Sequence, residues 1–186
     1  MSRFASICLA VGVVIAVPAF ALRSDGPTVE MSQDPAVAWR EVKWPFLLDQ
    51  WGTGRAFRCE AADCGVALTM YLRPKIGFCN CTSGVSDDPE LDRVGDVGLI
   101  GVRFAPLEDG HPITVGWMNG RSRSYSVDGP APRTVIALAF SDRCDVVVAT
   151  IVADRGLPRS AERLAVAFLN GPAVLNWVEA SLGPQQ

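Results

Sequence analysis

Histidine is almost missing from this chain of 186 residues: there is one, His111. That excludes multi-histidine metal sites and leaves any histidine-assisted hydrolysis resting on a single side chain. His111 lies in Glu108-Asp109-Gly110-His111-Pro112, which reads as an exposed, solvated turn. Other signatures are missing too. There is no Gly-x-Ser-x-Gly elbow, no His-Glu-x-x-His, no Cys-x-x-Cys before a helix and no haem-attaching Cys-x-x-Cys-His. Gly52-x-Gly54 lacks the third glycine and the lysine that a phosphate loop needs. With 17 basic against 20 acidic residues there is no positive excess to attract nucleic acid. No internal repeat is present. We therefore assign no catalytic residue and no cofactor.

What is present begins at the N-terminus. Arg3 and the terminal amine form a positive n-region, Ile7 to Val17 an apolar h-region, and Ala19 and Ala21 the small residues at minus three and minus one of a cleavage site. We expect residues 1–21 to be an export signal cleaved after Ala21. The apolar run is shorter than the roughly twenty residues that span a bilayer and ends at Pro18, and no later run is longer, so the mature form is expected to be soluble and not membrane-spanning. Removal of 21 residues leaves 165, with 16 basic and 20 acidic side chains. That suffices for one domain burying about two thirds of its unfolded surface. Residues 22–33 are small, polar and aperiodic and read as a flexible leader; the domain is expected over 34–186.

Within it, Asp34-Pro35 reads as a capped helix start, with the helix running to Lys43 and stopped by Trp44-Pro45. Trp39, Trp44, Phe46, Trp51 and Phe57 could form a ligand platform, but rings of that size more often fill a core. Val66 to Arg73 alternate as a half-buried strand that we expect to end at Pro74. Asp87-Asp88-Pro89-Glu90 opens a short helix, and Val97 to Phe104 reads as another strand. Asn119-Gly120 is expected to be the loop of a hairpin between Ile113–Met118 and Arg121–Val127. Ser141-Asp142-Arg143 should close a second, between Thr134–Phe140 and Cys144–Val152. Ala161 to Leu169 follows as a helix behind Ser160, and Asn170-Gly171-Pro172 breaks it and starts another that ends at Gly183. Strands grouped before helices predict an α+β fold, an antiparallel sheet of about five or six strands packed against N- and C-terminal helices.

Five cysteines follow the signal: Cys59, Cys64, Cys79, Cys81 and Cys144. In an oxidising compartment disulfides are the default, and an odd count leaves one thiol over. The preferred scheme is a local Cys59–Cys64 bridge with Cys79 or Cys81 reaching Cys144. Two alternatives stay open. Cys59, Cys64, Cys79 and Cys81 could converge on zinc or Cu(I), with Met70 and Met118 as further soft donors. Cys79-Asn80-Cys81 could instead be a redox pair for thiol–disulfide exchange, activated by Arg73 or Lys75. Asp87, Asp88, Glu90, Asp92 and Asp96 could hold Ca²⁺, although acidic residues are also favoured at a helix N-terminus. Arg121 and Arg123 alternate onto one strand face and, with Arg133 after them, could grip an anionic ligand or partner.

The run Arg73-Pro74-Lys75-Ile76-Gly77-Phe78-Cys79-Asn80-Cys81, with Asp92-Arg93-Val94-Gly95-Asp96 behind it, resembles a group of small exported proteins of Gram-negative bacteria. The resemblance covers the middle third of the chain. It implies a periplasmic address and carries no catalytic residues across. Together these observations predict a disulfide-stapled periplasmic module that binds an unknown protein or small molecule in an envelope process.

Overall fold

The computed structural model describes residues 39–129 and 131–183. The expected signal, the leader and the Asp34-Pro35 helix start lie outside the described residues. Within them the chain runs β1 (Trp39–Val42), β2 (Arg55–Cys59), the single turn α1 (Ala61–Cys64), β3 (Leu68–Lys75) and α2 (Asp88–Val94). A 3₁₀ turn at Val97–Leu99 leads to β4 (Phe104–Pro106), β5 (His111–Val115), β6 (Met118–Val127), β7 (Arg133–Asp142) and β8 (Asp145–Ala153), and then to α3 (Ala161–Leu169) and α4 (Pro172–Leu182).

The strands form one eight-stranded antiparallel sheet in the order β1-β2-β3-β8-β7-β6-β4, with β5 also paired to β6. This corrects the expected sheet of five or six strands packed between terminal helices. The segment expected to complete the N-terminal helix is instead an edge strand, Trp39 opposite Cys59 and Val42 opposite Ala56. Trp39 stacks on Phe168 of α3, with ring centroids 5.3 Å apart, so the chain gains aromatic burial in the extended form that a short exposed helix would not provide.

Both sheet faces are covered. On one, Met70, Leu72, Leu138, Phe140, Ala149 and Ile151 pack against Ala161, Ala165 and Leu169 of α3 and Val174 and Val178 of α4. On the other, Val135, Ala137, Ala139, Val146 and Val148 meet Leu91 and Val94 of α2 together with Val97. Double coverage explains why β7 and β8 are continuously apolar, since neither side of those strands meets water.

Three boundaries differ from expectation for local reasons. Strand β3 continues through Pro74, which pairs with Val147; β2 ends opposite Leu72, so Pro74 has a strand neighbour on one side only and its missing N–H is tolerated. Val97–Phe104 is not a strand but the 3₁₀ turn and the approach to the three-residue β4. The first hairpin turns three residues early, at Gly116-Trp117 between the paired Val115 and Met118, with Gly116 at φ 58°. Asn119-Gly120 lies inside β6, where a Cβ on Gly120 would sit 2.1 Å from the Ala139 carbonyl oxygen; that glycine serves close strand approach rather than a turn.

The second hairpin forms with its turn moved to Arg143-Cys144, since Ser141 and Asp142 pair with Val146 and Asp145, and α2, α3 and α4 form where expected. Asp87 caps α2 by accepting from the Glu90 N–H at 2.8 Å, and Gly183 follows α4 at φ 81°.

Candidate functional site

Two disulfides staple the domain, Cys59–Cys64 and Cys81–Cys144. The first is buried in the α3/α4 core, while Cys79 is buried in the core of the opposite face, so the two cysteine pairs do not converge. Cys79 keeps a free thiol, 3.3 Å from the Arg143 carbonyl oxygen, and its N–H donates to the Cys144 carbonyl. Burial, with Glu90 nearby, pushes that thiol up to about 11, which keeps it protonated at neutral pH and poor as a nucleophile or ligand. Cys81 is bonded to Cys144 rather than poised against Cys79.

The acidic cluster and the basic pair singled out from the sequence hold one another. Arg121 donates through Nε to Asp88 and through a second nitrogen to the Gly110 carbonyl at 2.7 Å. Arg123 reaches Asp92 at 3.1 Å, the residue that also accepts from the Tyr125 hydroxyl. Glu90 pairs with Arg93 at 2.7 Å. These contacts brace α2 against β6 and leave Arg121 and Arg123 already supplied with carboxylates.

A further ionic group is buried beneath α2. Asp96 accepts from Arg73 at 2.6 Å and from the Lys75 ammonium at 2.8 Å, and Lys75 also donates to the Val94 carbonyl at 2.6 Å. Arg73 extends to Asp49 in the β1–β2 loop at 2.8 Å. The aromatic cluster divides around this group. Trp44 and Phe46 contact Tyr71, Trp51 packs on Phe78 at 4.4 Å, and Phe57 contacts Phe168 on the far side of the sheet. The rings are structural filling rather than one exposed platform.

Acid should loosen this scaffold. Hydrogen bonds from Arg55 to Glu41, Arg73 to Asp49, Arg121 to Asp88, Arg93 to Glu90 and Arg58 to Asp154 hold each carboxyl below its ordinary value, 4.5 for Glu and 3.8 for Asp. A depressed folded-state value means stability that is present above the ordinary value and lost as pH falls through the folded one. Urea midpoints measured from pH 6 to pH 2 should be flat at first and fall only below about pH 4.5; a decline that begins near pH 6 would assign the acid sensitivity to other groups.

One set of arginines is different. Each of the other described arginines has a carboxylate within ion-pair distance, but Arg133, Arg155, Arg159 and Arg163 have no ion pair or hydrogen bond among the described residues. All four line a run of three clefts. The first, of about 670 Å³, is bounded by Arg58, Thr69, Tyr71, Arg133 and Arg155. Thr134 is shared with the second, of about 390 Å³, whose walls include Glu108, Ser124, Ile136 and Leu157. Arg159 and Glu162 are shared with the third, of about 510 Å³, along His111, Ile113, Arg163 and Val166.

The carboxylates here are largely committed. Asp154 accepts from Arg58, and Glu162 accepts from the buried Ser122 hydroxyl at 2.8 Å and lies 2.7 Å from the His111 ring. His111 is thus a strand residue bonded to α3 rather than a turn histidine, and its side chain is exposed, as expected. The Tyr71 hydroxyl has no hydrogen-bond partner among the described residues; burial raises its pKa while Arg58 and Arg133 pull it back down. The clefts therefore present donors in excess of acceptors.

No family model and no curated protein matches this chain. Among solved structures it is similar to LpqN of Mycobacterium tuberculosis, described as involved in cell envelope biogenesis, at 18% identity over 70% of this chain and 73% of that one, with a TM-score of 0.40. The site is built from the chain's own residues.

Arg133 was singled out from the sequence with Arg121 and Arg123, but Arg155, Arg159 and Arg163 were not. Their spacing of four was a usable signal. So was the place of Arg159 and Arg163 at the start of α3, where the helix dipole disfavours cations.

Proposed function

We propose that this chain is a disulfide-stapled binding module of the cell envelope, exported to the periplasm and acting without catalysis, and that it takes an anionic ligand in the arginine-lined clefts. One observation carries the reading: in a chain of net charge −3, the described arginines that lack a carboxylate all line three adjoining clefts. Solvated arginines scattered for solubility would not collect there. The two staples suit an oxidising compartment, and the N-terminal signal pattern supplies the route.

An NMR titration with galacturonate, and separately with inorganic phosphate, tests the binding. Amide shifts confined to residues 131–134 and 153–163 are expected, and they should vanish when Arg133, Arg155, Arg159 and Arg163 are all replaced by Ala. No response to either anion, or shifts gathered instead around Cys81 and Trp117, would remove the reading. The address has its own check: the intact mass of the exported protein should begin at Leu22 and show one thiol that labels only after denaturation.

A further inference from the structure

The three clefts together are longer than a single small anion requires. The first meets the second at Thr134, where the run turns from the α2 face of the sheet to the α3/α4 face, and the second and third share Arg159 and Glu162; the unpaired arginines are distributed along it, Arg133 and Arg155 in the first cleft, Arg159 at the junction of the second and third, and Arg163 at the far end. A ligand that meets all of them must be extended and must carry negative charges at intervals.

The groups between the arginines narrow its chemistry. Thr69, Ser124 and Thr134 offer hydroxyls, and Glu108, Asp154 and Glu162 place carboxylates along the same walls. A polymer with a charge on every backbone unit and few hydroxyls, such as a polyphosphate, would meet Glu108, whose carboxylate has no partner among the described residues, and would leave the wall hydroxyls unused. A chain with one charge per sugar and several hydroxyls between charges matches the alternation, since carboxylate walls accept sugar hydroxyls and a planar guanidinium grips a carboxylate through two parallel N–H bonds. Leu157 in the middle cleft adds a partly exposed apolar surface for the face of a sugar ring.

We infer that the run of clefts is a binding track for an acidic polysaccharide, a linear polymer bearing carboxylates at sugar-residue intervals. The inference rests on the binding reading above and names the ligand class of that same site.

The probes are galacturonate, oligogalacturonates of increasing length, polygalacturonate, neutral dextran and linear polyphosphate, measured by calorimetry at low and at moderate salt. Affinity should rise with oligomer length until the run is filled, and should fall with salt because the arginines are exposed. Dextran should not bind. Arg133→Ala and Arg163→Ala, at opposite ends, should each weaken polygalacturonate by about fivefold while leaving the thermal unfolding curve unchanged, because neither side chain has an ion pair or hydrogen bond among the described residues to lose.

Monomer and polymer binding alike, or one end variant acting alone, would overturn the extended ligand and leave a single-anion site. Polyphosphate binding as tightly as polygalacturonate would overturn the saccharide and leave a polyanion site. Binding to none of the anionic probes would remove the binding reading itself.

Discussion

Asp96→Ala should cost about 3–5 kcal/mol of folding stability, measured by urea unfolding at pH 7. Asp96 is the shared acceptor of Arg73 and Lys75; those two side chains are 4% exposed and Asp96 is 8% exposed. Without it, Arg73 keeps Asp49 and Lys75 keeps the Val94 carbonyl and the Trp51 and Phe78 rings but no carboxylate, so the sheet would bury an excess of positive charge. A loss of that size is a large part of the roughly 5–15 kcal/mol available to a domain. Asp49→Ala removes a carboxylate that is 39% exposed, at the end of the same chain of contacts, and should cost about 1 kcal/mol or less.

The pH dependence of the Asp96→Ala deficit identifies its cause. Burial already pulls the Lys75 ammonium below its ordinary 10.5, against the attraction of Asp96, and removal of Asp96 should pull it lower. A folded-state value below the unfolded one means that the unfolded chain binds more protons in the interval between them, so stability rises with pH across it. The variant should therefore recover part of its deficit between pH 7 and pH 10, as Lys75 becomes neutral. If Asp96→Ala and Asp49→Ala prove equally mild, or the deficit does not change with pH, the buried-charge account fails.

The second large effect belongs to the long staple. The Cys81–Cys144 bridge closes a separation of 63 residues, for which the chain-entropy model predicts a stabilisation of about 4 kcal/mol. Cys59–Cys64 closes a separation of five, worth about 2 kcal/mol in the same model. The Cys81→Ser/Cys144→Ser protein should thus unfold at markedly lower urea than the Cys59→Ser/Cys64→Ser protein. The reverse order would mean that local packing around α1, rather than restriction of the unfolded chain, governs how the staples act.

What could be read from the sequence was what repeats or what is capped. β7, β8, α3 and α4 are long and strongly patterned, and α2 announces itself by Asp87 and Pro89. The remainder is short or depends on distant neighbours. Four residues of β1 and three of β4 are too few to show a period, and their extended form is imposed by pairing with β2 and β6. Gly120 satisfies the same sequence pattern as a turn glycine, and only the neighbouring Ala139 and Phe140 reveal its use.

The candidate site was hidden for a related reason. An arginine becomes informative when its partner is known, and partners here are far apart in sequence, 23 residues for Arg73 and Asp96 and 33 for Arg121 and Asp88. Arg121 and Arg123 looked available and are engaged; Arg133, Arg155, Arg159 and Arg163 were distinguished only once every other pairing was in place.

The order of the cysteines along the chain gives the second staple a history. A chain that emerges N-terminus first presents Cys79 and Cys81 together while Cys144 is still 63 residues behind. An oxidant acting in that order can couple the near pair first, and the bridge seen in the folded domain then requires Cys144 to displace Cys79 by thiolate attack on Cys81, returning Cys79 to the core as a thiol. Maturation would in that case be limited by reshuffling rather than by oxidation, and a strain lacking disulfide isomerase should accumulate a species in which Cys144, not Cys79, is the cysteine that labels.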